Sequence, residues 1–82
     1  MPDNHTLETS AYEHIENYFA AHQPDLPPKG LYDRIIPLVE RPLIRAALEA
    51  TGGHRIQAAE LLGINRNTLR KRMKELGIQW KP

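Results

Sequence analysis

Apolar positions recur at helical spacing along most of this chain. Ala11, Tyr12, Ile15, Tyr18 and Phe19 predict an amphipathic helix from Ser10 to about His22. Ser10-Ala-Tyr-Glu13 has the form of a capping box, in which the Ser oxygen accepts an early helix N–H while Glu13 reaches back. A longer run follows from Leu31 to Ala50, with Tyr32, Ile35, Ile36, Val39, Leu43, Ile44, Ala47 and Leu48 at helical spacing. Pro37 and Pro42 interrupt it, and an interior proline costs ~3 kcal/mol and bends the axis. The run is therefore either one kinked helix or one that starts afresh near Pro37. Gly52-Gly53 ends it, since glycine takes the left-handed conformation just past a helix. Two shorter helices remain: Arg55–Leu62, stopped by Gly63, and one capped by Asn65, running to about Leu76 and closed by Gly77. Residues 1–9 are polar and unpatterned and read as a disordered tail or linker. Pro24, Pro27, Pro28 and Gly30 form a stiff connector. No strand-like alternation of useful length occurs, and the predicted class is all-α with four helices.

Composition narrows this further. With 82 residues the chain fits one small domain, and it has no cysteine for disulfides or thiolate metal sites. So thin a core makes a partner subunit a reasonable expectation. No apolar run approaches the ~20 residues of a membrane span. The expected setting is soluble and reducing.

The net charge of +1 speaks against a nucleic-acid partner until it is divided. Residues 1–40 carry two cations against seven carboxylates, a net −5, and residues 41–82 carry nine against three, a net +6. Such asymmetry suggests a basic surface for a polyanion. A solvated helix face would look the same, so charge alone decides nothing.

The spacing of residues 56–73 does more. Ala59, Gly63 and Leu69 stand where a helix-turn-helix needs a small residue, a turn glycine and a core residue. Leu62, Ile64, Leu69 and Met73 supply the apolar wedge. An ordinary helical hairpin would share these features. The second helix tips the balance, because Arg66, Asn67, Arg70, Lys71 and Lys74 line one face while Leu69, Met73 and Leu76 point inward. Its first turn, Asn65-Arg66-Asn67-Thr68, offers a guanidinium, amides and a hydroxyl at the end of a recognition helix that enters the major groove.

Gly63-Ile-Asn-Arg-Asn-Thr-Leu-Arg-Lys-Arg resembles the recognition segment of the Fis family, shared with the DNA-binding ends of NtrC-type activators. The likeness runs through Asn17-Tyr-Phe-Ala, Leu31-Tyr32 and Val39-Glu-Arg-Pro-Leu43, and covers about residues 10–79. It implies a four-helix Fis-like domain, with dimerisation helices in residues 10–51 and a helix-turn-helix in residues 52–79. It also implies a homodimer on a roughly palindromic site in double-stranded DNA, which bends to meet closely spaced recognition helices. Carried over by position, Asn65, Arg66, Asn67 and Arg70 would face bases. His54, Arg55, Gln57, Thr68, Lys71 and Lys74 would meet phosphates. Tyr12, Ile15, Phe19, Ile35, Val39, Leu43, Ile44 and Ala47 would form the dimer interface.

Some positions depart from the pattern. Asn67 replaces the glycine of Fis itself, as in NtrC-type domains, and Ile56 stands where Fis has a phosphate-contacting hydroxyl. Pro37 is an extra break. The segment before Ser10 is too short for the β-hairpin arms with which Fis stimulates recombination, so that activity is not carried over.

The implied role is a bacterial transcription regulator, a DNA-bending nucleoid protein, or both. It would lie in the cytoplasm on the nucleoid, with RNA polymerase as a further partner. The alternative is the C-terminal DNA-binding domain of an NtrC-type nitrogen regulator. The Fis-like Asn17-Tyr-Phe-Ala stretch and the opening methionine favour the free-standing form. A protein-binding helical adaptor is the reading from another class, but it has no need for Arg66 and Asn67 at a helix start. An enzyme is disfavoured, with no phosphate loop, no cysteine nucleophile and no glycine-rich dinucleotide turn. His5, His14, His22 and His54 lack zinc-like spacing, and no metal, cofactor, small-molecule ligand or membrane is expected. Trp80 either packs back on the domain or belongs to an exposed tail.

Overall fold

A glycine or proline closes each helical stretch of this sequence, and the computed structural model, which describes residues 4–80, follows that punctuation. Helices α1 (Asn4–Ala20), α2 (Leu31–Ala50), α3 (Arg55–Leu62) and α4 (Arg66–Glu75) succeed one another, with no strand among the described residues. The chain forms two compact units, divided between Leu31 and Tyr32.

The first unit is α1. It begins at Asn4, not at Ser10, so the described residues expected in a tail are helical and Ser10 lies inside the helix, not at its cap. Nothing between Asn4 and Ser10 stops a helix, and Leu7 extends the Ala11 and Ile15 spacing by a turn. Residues 1–3 of the expected tail lie outside the described residues. The helix gives way to turns after Ala20, where the His22 ring packs on Tyr18 at 4.8 Å between centroids and its Nδ1 lies 2.9 Å from the Tyr18 carbonyl oxygen. Tyr12 and Phe19 remain exposed.

In the second unit α2 runs unbroken through Pro37 and Pro42, which removes the alternative of a fresh start near Pro37. Its buried residues, Ile44, Ala47 and Leu48, all follow Pro42. Ahead of them Tyr32, Ile36, Leu38, Val39 and Leu43 are exposed. Thr51 closes the helix by donating its hydroxyl to the Ala47 carbonyl at 2.9 Å.

The core joins Ile44, Ala47 and Leu48 to Ala58 and Ala59 of α3 and to Leu69, Met73 and Leu76, with Leu62, Ile78 and Trp80 packed on its edge. Leu48 and Leu69 are fully enclosed. Two alanines let α3 approach closely. Of the expected wedge, Leu69 and Met73 are buried and Leu62 is half-buried, but Ile64 sits in the turn and stays 36% exposed. Trp80 packs back on this core. A side chain on Gly53 would collide with its indole nitrogen.

Candidate nucleic-acid interface

The turn between α3 and α4 is built by Gly63 and Asn65. Gly63 adopts φ 75°, its N–H meets the Glu60 carbonyl at 3.1 Å, and the Ile64 N–H meets the Ala59 carbonyl at 3.0 Å. This closure satisfies the last carbonyls of α3 and needs a residue tolerant of positive φ. Asn65 then starts α4 in extended backbone, its Oδ1 accepting the Asn67 N–H at 2.7 Å. A capped start holds the first turn of α4 in one conformation.

That turn carries the side chains expected to meet DNA. Asn65, Arg66, Asn67 and Arg70 are all exposed, as are Thr68, Lys71 and Lys74. With Oδ1 accepting as the cap, the exposed Asn65 side chain keeps its amide N–H groups as donors. Arg66, Arg70 and Lys74 form no ion pair among the described residues. Lys71 lies 3.9 Å from Glu75, an exposed contact that leaves its ammonium available.

The second group of expected contacts stands at the start of α3. His54 is its N-cap, its Nδ1 accepting the Gln57 N–H at 3.2 Å. The imidazole Nε2 is thereby left as the nitrogen that can meet a phosphate. Gln57 is exposed. Arg55 donates from Nη2 to the Trp80 carbonyl at 2.9 Å, which ties the C-terminal segment to α3 and leaves other guanidinium donors open. Arg55, Arg70 and Lys74 line one shallow hollow floored by Met73 and Ile78. Three cations from two helices around one open hollow favour an anion there.

Arg72 is set apart from the other cations of α4. Its guanidinium forks onto both oxygens of Glu40 on α2, with Nε at 2.6 Å from Oε2, and it also pairs with Glu75. The hydrogen bond from Arg72 holds the Glu40 carboxyl below its ordinary value of 4.5, against an opposing effect of burial. Next to it in sequence, Arg41 donates from Nε to the Leu76 carbonyl at 3.1 Å, at the C-terminal end of α4. Sequence reasoning assigned none of these contacts. Glu40 and Arg72 are 32 residues apart, and no spacing rule links them.

Of the eight positions expected at a dimer interface, Ile44 and Ala47 are occupied by the chain's own core, at 2% and 5% exposure. Tyr12, Phe19, Val39 and Leu43 are exposed, and Ile15 and Ile35 are half-buried. Among the described residues there is no cluster of His, Cys, Asp or Glu fit to hold a metal ion. No helix among them is long and apolar enough to cross a membrane.

Comparison with known proteins decides which helix-turn-helix this is. The family model for bacterial regulatory proteins of the Fis family matches residues 35–76, from the second turn of α2 to the C-cap of α4. The chain belongs to the Fis family. As a Fis-type DNA-binding regulator it is related to proteins of two kinds. It is 51% identical over 78 residues to the DNA-binding transcriptional regulator NtrC of Azospirillum brasilense and 52% identical over 73 residues to that of Rhizobium meliloti. It is 37% identical over 76 residues to a putative Fis-like DNA-binding protein of Pseudomonas aeruginosa. These alignments cover 95%, 89% and 93% of this chain. The chain spans only 16% and 15% of the two NtrC proteins but 72% of the Fis-like one. The matching family is described as one of bacterial regulatory proteins.

Proposed function

We propose that the chain binds double-stranded DNA as a twofold homodimer. Each α4 presents its first turn to base edges, and the start of α3 meets the adjoining phosphates. The observation that carries this reading is the capped, exposed first turn of α4, with Arg66 and Arg70 free of ion pairs among the described residues. Arg66 and Arg70 read bases together with Asn65 and Asn67, while His54, Arg55, Gln57, Thr68, Lys71 and Lys74 hold the backbone. Exposed Val39 and Leu43 on α2, and Tyr12 and Phe19 on α1, support a second copy as partner, because apolar side chains of this size are costly to leave in water. The role is regulation of bacterial transcription on the nucleoid, with DNA bending and contact with RNA polymerase as its means.

Titration of fluorescent duplexes selected from a random pool tests this reading. Specific binding that saturates at two chains per site supports it, and equal affinity for selected and random duplexes would sink it.

The higher identity to NtrC proteins favours one setting for this domain, the DNA-binding part of a larger NtrC-type nitrogen regulator. The gene's reading frame tests that setting. An in-frame extension coding for most of a longer protein supports it, and stop codons bounding the 82 codons favour a free-standing Fis-like regulator.

A further inference from the structure

Two consecutive residues of α2 grip α4 at its far end from the DNA-facing turn. Glu40 takes the Arg72 fork, and Arg41 donates to the carbonyl of Leu76. The Glu40 and Arg72 side chains are only 24% and 30% exposed, so the pair is shielded from much of the solvent that weakens surface ion pairs. A bidentate pair fixes direction as well as distance, because the guanidinium and carboxylate planes must match. The buried contacts of α2 with this core come from Ile44, Ala47 and Leu48, which are apolar and non-directional. The polar clasp adds to this packing a directional constraint on α4. Arg72 sits among the cations of the recognition helix, yet its donors are committed within the chain.

We infer that Glu40 and Arg72 are positioning residues for DNA recognition: their fork sets the angle at which α4 leaves α2, and so the separation of the two half-sites that a dimer accepts. The inference rests on the DNA-binding dimer proposed above. Where α2 carries the dimer contact, a small rotation of α4 about its clasped end moves the Asn65–Arg66 turn the most. Two such turns meet half-sites about one helical turn apart, so a change of angle is read as a change of spacing.

The test is selection from random-sequence duplexes of about 40 bp, long enough for two half-sites and their flanks. The unaltered chain is expected to enrich paired half-sites at one separation. Glu40→Gln removes the acceptor charge, and Arg72→Lys keeps the cation but loses the fork. Both variants, shown folded by circular dichroism, are expected to enrich the same half-sites spread over neighbouring separations. The share at the preferred separation should fall several-fold, with an unchanged salt dependence. If Glu40→Gln unfolds, Glu40→Asp keeps the charge one methylene short and serves in its place. Unchanged separations in the variants would overturn the inference. So would a change seen with Arg72→Gln, together with a shallower salt dependence, but absent with Glu40→Gln, because Arg72 would then be a phosphate contact. Enrichment of single half-sites by the unaltered chain would overturn the dimer, and no enrichment at all would overturn the DNA-binding reading itself.

Discussion

Both oxygens of the Glu40 carboxylate are held by one guanidinium, that of Arg72, across 32 residues of sequence. Because this contact depresses the folded-state pKa of Glu40, its contribution is complete above the ordinary value of 4.5 and is lost as pH falls through the lower folded value. The thermal midpoint is expected to drop on acidification below about 4.5, in part through this group. Glu40→Gln should melt below the unaltered protein at pH 7, and the gap should close in acid. Melting curves followed by circular dichroism from pH 7 downward check this, and a gap independent of pH would count against it.

Leu43 and Ile44 are neighbours on α2 with opposite surroundings, one 56% exposed and the other 2%. Ile44→Ala is expected to destabilise the protomer by about 2–5 kcal/mol, as for other buried aliphatic truncations. Leu43→Ala should change urea stability little in dilute solution and weaken self-association instead. Urea unfolding and sedimentation on the same two variants separate these effects.

Arg66→Ala is expected to lose ~1–3 kcal/mol per half-site and to relax discrimination at one base position. Lys71→Ala should weaken all sequences alike and reduce the salt slope by about one per subunit. Binding titrations on selected and scrambled duplexes at several salt concentrations distinguish reader from phosphate contact.

Two glycines with positive φ give a matched pair. A side chain at Gly63, φ 75°, would meet nothing within 4 Å, so Gly63→Ala carries only the left-handed backbone cost of about 1–2 kcal/mol. Gly53→Ala, at φ 84°, adds a collision with Trp80 and should cost more. In a Trp80→Ala background that excess should disappear, as a double-mutant cycle in urea would show.

The helices around the candidate interface were legible because their signals are local. Gly63 and Asn65 mark a stop and a start within three residues, and the α3 and α4 boundaries agree with the spacing. The start of α1 was not legible, since Ser10 looks like a cap wherever it stands and nothing before it forbids a helix. Periodicity placed Ile44 and Ala47 on an apolar face but could not say whether that face meets the chain's own α3 and α4 or another copy. The exposed side chains at the start of α4 were readable from residue type and position. The fates of Arg55 and Arg72 were not, as each depends on a partner brought near only by folding.

Pro37 and Pro42 have no amide proton to give the carbonyls of Asp33 and Leu38 four residues earlier. Every buried side chain of α2 lies beyond the second of them. The helix is therefore graded along its length: its last two turns are locked into the core, Glu40 and Arg41 clasp α4, and the turns ahead of Glu40 have neither a buried side chain nor such a clasp. Amide hydrogen exchange should reveal this as slow exchange from Ile44 to Ala50 and fast exchange ahead of Glu40 in dilute protein. If the exposed face of those turns is covered by a second copy, their exchange will slow as concentration rises. Assembly would then steady the turns of α2 that a lone chain anchors least.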